Sequence, residues 1–183
     1  DDYQAVLKPF RDFVDLYDWP LHPGQMPAYV DCLARADSKW LAFIDLDEYL
    51  VPIYGSSISA ILSQYDLPYI SALCVFWAWF GSDGAECYEP VPVPLRFKLR
   101  VVDNCQVEGG PHFVKLIVRP ERVVRDLASC NPHRFEPKQG MVNVDENYKV
   151  VIEGNPSYES TKIIQLNHYY TKSREEWAIK VKR

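Results

Sequence analysis

An apolar run, Trp40-Leu41-Ala42-Phe43-Ile44, passes directly into Asp45-Leu46-Asp47-Glu48. Three carboxylates gathered at the end of such a run are costly unless a cation or hydrogen-bond donors compensate them. Their hard oxygens suit a small divalent ion, Mn²⁺ or Mg²⁺. The run shows no polar alternation, so it predicts a strand buried on both faces. Ligands of open α/β sheets gather outside the carboxyl ends of strands, which is where these acids would lie. The plainer alternative is a solvated turn, and the uninterrupted run weighs against it. Late in the chain, His168 ends a second predicted strand and Lys172 follows closely. An imidazole is a reasonable ligand for Mn²⁺ and a poorer one for Mg²⁺. The alternative for His168 is a core histidine bonded to a backbone carbonyl.

Several elements must position these groups. Asp1 to Val14 spaces Val6, Leu7, Phe10 and Val14 as an amphipathic helix would, despite Pro9. Met26, Val30 and Leu33 predict a helix over 25–36 that feeds the acid-tipped strand, and Ile58, Ile61, Leu62 and Tyr65 mark another helical face. Strands are predicted at Tyr69 to Trp77, Phe113 to Val118 and Lys162 to Leu166. Between them lie a glycine loop, Phe80-Gly81-Ser82-Asp83-Gly84, and prolines 90, 92 and 94, which suit an extended edge or a surface excursion. Segments 129–140 and 154–160 read as loops. Ser173-Arg174-Glu175-Glu176 fits a capping box, so a helix should begin there and run to the end. Helices alternating with apolar strands predict an α/β sheet.

With 183 residues, 48% of them hydrophobic, the chain can form one domain with a real core. A net charge of −5 argues against a general nucleic-acid binder, and no apolar stretch reaches the roughly 18 residues that a membrane span needs. Cys32, Cys74, Cys87, Cys105 and Cys130 form no C-x-x-C pair, which argues against a disulfide framework or a zinc site. That pattern mildly favours a reducing compartment.

The ordered features are Gln25 with Tyr29 and Cys32, then W-L-A-F-I-D-L-D-E-Y, W-x-W-F-G-S-D-G, Arg96-Phe97, Val114-Lys115, Arg119-Pro120, Pro132-His133, N-H-Y-Y-T-K-S and a trailing Lys180. A lone D-x-D is a weak signal; this set, in this order, is a strong one. It resembles glycosyltransferase family 92 and the related bacterial family-2-like transferases. The resemblance implies an α/β fold of GT-A type, a mixed sheet with flanking helices. It also implies sugar transfer, inverting, from a nucleotide-diphosphate donor with Mn²⁺ or Mg²⁺ on the diphosphate. A UDP-sugar, with galactose favoured, and a glycan, polysaccharide or other hydroxyl acceptor are the expected partners. The family domain normally opens with a strand and helix that hold the nucleoside, so residues 1–183 are expected to be a single domain that begins just after that unit.

On this basis Asp47 is expected to ligate the metal, Asp45 to touch ribose or metal-bound water, and His168 to join the metal or diphosphate. Glu48 would support the donor site or cap the next segment. Lys172 would neutralise phosphate, helped by amides of the helix starting near Ser173. Gly81 would allow close backbone approach to the sugar and Ser82 would bond a hydroxyl. Trp77 and Trp79 are expected on opposite faces of their strand, one in the core and the other, Trp79, stacking on a sugar. Asp83 is the candidate general base, with Glu86 and Asp126 as rivals. His133 reads as structural, and Lys180, Lys182 and Arg183 as a solvated basic end. A bacterial protein of this kind would work in the cytoplasm, often at the membrane face, and a eukaryotic one in the Golgi lumen. Two other classes stay open: a hydrolase of nucleotide-sugars, and a non-catalytic carbohydrate-binding domain.

Overall fold

A ten-residue strand, β3 (Ile70–Trp79), organises the molecule, because nearly all of its side chains are buried. The structure is a computed structural model that describes residues 3–20, 22–55, 57–101, 113–152 and 160–182. Preceding β3 are α1 (Tyr3–Leu7), α2 (Gln25–Arg35), β1 (Leu41–Ala42), β2 (Glu48–Pro52) and α3 (Ile58–Gln64). Following it are α4 (Val93–Arg96), β4 (Val114–Val118), β5 (Cys130–Asn131), β6 (Arg134–Phe135), β7 (Val142–Val144), β8 (Ile164–His168) and α5 (Arg174–Lys180).

The main sheet runs β1-β4-β3-β8-β2, with β7 pairing β3 as well. One edge of β3 pairs antiparallel with β4. The other edge is shared: its first half pairs parallel with β7 and its last three residues, Trp77 to Trp79, pair parallel with Leu166 to His168. Alternate residues of β3 and β4 then feed two cores, as a pleated strand requires. Ala72, Cys74, Phe76, Val114, Leu116 and Val118 pack with Leu33 of α2. Leu73, Val75 and Ile117 pack with Ile61 and Leu62 of α3 and with Ile164 and Leu166 of β8. The mixed α/β class expected from the sequence is the one observed. Among the described residues, no helix is long and apolar enough to cross a membrane.

Three expectations need correction here. The run Trp40 to Ile44 is not a doubly buried strand: only Leu41 and Ala42 pair, with β4, and Ile44 is exposed. A position at the sheet's end gives this run one neighbour, so only Phe43 is buried in it. Residues 3–14 do not present an apolar face to the core, since none of them is buried. Pro9 falls in a 3₁₀ turn, Lys8–Phe10, where its missing N–H breaks the α-helical ladder. Within the segment read as a loop, 129–140, short strands β5 and β6 pair with each other. Cys32, Cys74, Cys87 and Cys130 are free thiols, and Cys105 lies outside the described residues.

Candidate active site at the end of strand β8

Antiparallel pairing of β2 with β8 sets Glu48 opposite His168 and thereby brings the early acids to the late histidine. Asp45 to Asp47 form the turn that enters β2, closed by the Glu48 amide on the Asp45 carbonyl at 3.0 Å. The Asp47 carbonyl in turn accepts the Tyr169 amide at 3.0 Å. Leu46, between the two aspartates, is fully exposed at the tip.

The acids divide into two groups. Asp47 Oδ1 lies 3.7 Å from His168 Nε2, and Asp47 Oδ2 accepts from Lys180 Nζ at 2.9 Å. Burial pushes the Asp47 carboxyl up, but the Lys180 hydrogen bond and charge, with His168 and Lys172, outweigh it and hold the carboxyl below its ordinary range. Burial, opposed by Asp47, pushes His168 down to about 4, so its ring is neutral at physiological pH. Among the described residues, its buried Nδ1 has no hydrogen-bond partner. Asp45 faces elsewhere: Oδ2 pairs with Lys115 Nζ at 3.1 Å and Oδ1 accepts from Gln25 at 3.4 Å. Glu48 is the other partner of Lys115, at 3.7 Å, and its Oε2 accepts the Asp45 amide at 2.7 Å. The Glu48 side chain has no exposed surface, so it holds the turn together and presents nothing to a ligand. Burial raises its carboxyl pKa, against the Asp45 amide and Lys115.

Among the described residues, no three His, Cys, Asp or Glu side chains converge as they would around a bound ion. Asp47 and His168 nevertheless fit as a pair of ligands. One offers a carboxylate oxygen and the other a neutral ring nitrogen that faces it, a donor set suited to Mn²⁺. A diphosphate would supply further oxygens.

Trp77 and Trp79 share a face, with ring centroids 5.0 Å apart, which corrects the expectation of opposite faces. Residues two apart in a strand point the same way. Both indoles flank His168, at 4.2 and 5.4 Å, and Tyr170 and then Trp177 extend the row of rings outward. His133 bonds the Val114 carbonyl through Nδ1 and meets Trp77 edge-on.

The glycine loop leaves directly from this strand end, with the Phe80 amide on the His168 carbonyl at 3.0 Å. Ser82 to Ala85 form a turn whose two central residues, Asp83 and Gly84, have φ of 50° and 77°. Gly84 therefore needs its conformational freedom. Among the described residues, a Cβ at Gly81 would meet nothing closer than the Leu99 carbonyl at 3.9 Å. The Asp83 carboxylate accepts the Lys98 and Leu99 amides, and an acceptor hydroxyl would have to compete with them. Its rivals are engaged too: Glu86 pairs with Arg174 at 3.6 Å and Asp126 caps the Ser129 amide at 2.8 Å.

Helix α5 starts with the expected capping box of Ser173 and Glu176. Its first amides are not free for phosphate, however. Arg174 and Glu175 donate to the Ala85 and Glu86 carbonyls at 3.0 Å each, and Glu176 donates to Ser173 Oγ. The expectation of a phosphate on these amides is thus corrected, because the loop already satisfies the orphan donors of the helix start. Lys172, just before the cap, has φ of 54°, a left-handed conformation that costs a non-glycine residue roughly 1–2 kcal/mol. Its charge still acts on Asp47.

Four side chains that the sequence pattern gives no part in the site join it: Lys180, Lys115, Trp177 and Arg96. Lys180, expected in a solvated basic end, instead places Nζ on Asp47 and, at 3.2 Å, on the Tyr170 carbonyl. Lys115 and Trp177 had no assigned role; a lone lysine inside V-K-L-I-V was a visible signal, since buried lysine must be paired. Arg96 grips Glu176 through two bonds of 2.8 and 2.9 Å and so fixes α5, which carries Lys180. That grip, with the Ser173 bonds and against burial, lowers the Glu176 carboxyl from 4.5 to about 2. A depressed carboxylate contributes stability that is present above 4.5 and lost as pH falls through about 2. Glu176→Gln should therefore lose stability near neutral pH and show a shallower acid decline across that window, read from urea midpoints at stepped pH.

A model of glycosyltransferase family 92 matches residues 1–181. The chain is also similar to a glycosyltransferase family 92 protein of Oryza sativa subsp. japonica, 25% identical over 155 residues, which cover 83% of this chain and 25% of that protein. The chain thus spans about a quarter of the length of that relative. Given a family match that runs through nearly every residue, including the acid turn and the His168 segment, the chain belongs to glycosyltransferase family 92.

Proposed function

We propose that this chain builds the donor site of a metal-dependent, inverting glycosyltransferase, which moves a sugar from a nucleotide-diphosphate donor to a glycan hydroxyl. The observation that carries this reading is the meeting of Asp47, His168, Lys172 and Lys180 at the end of β8, beside a wall of aromatic rings. Asp47 and His168 would hold Mn²⁺ or Mg²⁺. When bound, the ion stabilises negative charge on the leaving diphosphate as a Lewis acid. The side chains do the rest. Lys172 and Lys180 bring positive charge to the same end of the sheet, where a leaving group gains negative charge. Trp79 and Tyr170, both partly exposed, offer ring faces on which a pyranose can stack through its C–H groups. Asp45, held by Lys115, keeps the turn in register and presents its remaining surface toward ribose or metal-bound water. UDP-galactose is the donor to test first. The eukaryotic source of the relative favours the Golgi lumen over the cytoplasm.

Mass spectrometry of reactions containing UDP-galactose, Mn²⁺ and a panel of glycans checks this reading. The expected outcome is an acceptor heavier by one hexose. Free hexose released at full rate without any acceptor would identify a nucleotide-sugar hydrolase instead. Glycan binding with neither product and no nucleotide effect would identify a carbohydrate-binding domain.

A further inference from the structure

Lys180 occupies an unusual place for the last residue of a short helix. Its ammonium lies 2.9 Å from Asp47 Oδ2 and 3.2 Å from the Tyr170 carbonyl, and 4.0 Å over the Tyr170 ring. The Asp47 side chain is only 14% exposed, whereas that of Lys180 is 39% exposed. The lysine is therefore the more open member of the pair, seated on the carboxylate that would bind metal. Helix α5 is held at its other end by the Arg96–Glu176 pair and by the Ala85 and Glu86 carbonyls. The flexible lysine stem can swing while the helix stays still.

Resting on the donor-site reading, we propose that Lys180 is a resident counter-ion on Asp47 Oδ2, which charge repulsion drives off when a divalent cation takes Oδ1 beside His168, and which then takes a diphosphate oxygen. Charge bookkeeping supports the exchange. Asp47 and Lys180 together form a neutral pair. A divalent ion added on Asp47 leaves surplus positive charge beside Lys180 and Lys172, and like charges so close repel. A diphosphate removes that surplus and gives the displaced ammonium a new partner. Metal and nucleotide therefore bind as a coupled pair, each strengthening the other by the same factor. Lys180 is a positioning residue that makes the ion weakly held until donor arrives.

Mn²⁺ binding followed by the free-ion electron paramagnetic resonance signal, with and without UDP, tests this on the full chain. For the wild type, UDP should tighten Mn²⁺ by about 10- to 100-fold, within the usual span of coupling between sites. Lys180→Met should bind Mn²⁺ alone more tightly than wild type and lose most of the coupling. Lys180→Arg, which keeps the cation, should retain the coupling, and circular dichroism of both variants reports that they are folded. A folded Lys180→Met that binds Mn²⁺ alone no more tightly than wild type, with coupling intact, overturns the proposal and leaves the donor site standing. A wild type that binds neither Mn²⁺ nor UDP overturns both.

Discussion

Asp47→Asn is expected to lower sugar transfer by about 10²- to 10³-fold, the scale on which removing one electrostatic contributor to a transition state acts. The substitution keeps the size and planar shape of the side chain, removes its charge and turns one acceptor oxygen into an NH2 donor. Two consequences follow from the geometry. The pair facing His168 Nε2 loses its anionic member, so the site no longer attracts a dication. Lys180 loses its ion partner but is exposed enough to be hydrated, so the fold should be little affected. The backbone bond from the Tyr169 amide to the Asp47 carbonyl is unaltered and keeps the turn on β8. Comparison of kcat/KM with the thermal midpoint separates the two effects: activity should collapse while the midpoint moves by little.

The largest expected effect on stability belongs to Lys115. Its side chain is 2% exposed and bridges Asp45 at 3.1 Å and Glu48 at 3.7 Å. Replacing it with methionine keeps most of the volume and leaves a fully buried Glu48 carboxylate without its counter-ion. Breaking a buried pair in this way costs roughly 3–5 kcal/mol, a large share of the roughly 5–15 kcal/mol that holds a domain folded. Lys115→Met should therefore unfold at a clearly lower urea concentration than wild type. Adding Glu48→Gln removes the stranded charge and should recover part of the loss. A double variant no more stable than Lys115→Met alone would show that packing, and not the uncompensated carboxylate, dominates the cost.

How legible these features were depended on whether their cause was local. β3, β4 and β8 stand out as apolar runs, and α5 announces itself through the Ser173–Glu176 box, because each is decided by neighbours in the chain. β2 and β7 do not stand out. Glu48–Pro52 begins with an acid and ends in proline, and becomes a strand only by pairing with β8. Val142–Val144 is three residues long and becomes one only by lying along β3. The run Trp40 to Ile44 misled for the converse reason: its composition suits a central strand, but its place at the end of the sheet leaves two residues paired. The same division holds in the site. Asp47 and His168 could be named from their positions at the ends of apolar segments, and β2–β8 pairing brings them within 3.7 Å. Lys180 could not, because its contact with Asp47 spans 133 residues and depends on how α5 docks. Its companions Lys182 and Arg183 made it look like part of a solvated tail.

The role proposed for Asp47 and His168 is to anchor a metal-dependent nucleotide site. A thermal-shift titration with UDP, with and without Mn²⁺, on wild type and Asp47→Asn, tests it most directly. A ligand at 100 times its dissociation constant adds roughly 2.7 kcal/mol to stability, an easily seen rise in midpoint. Wild type should show a rise only when Mn²⁺ and UDP are both present, and Asp47→Asn should show none. A UDP shift of equal size without Mn²⁺, or one preserved in Asp47→Asn, would contradict it.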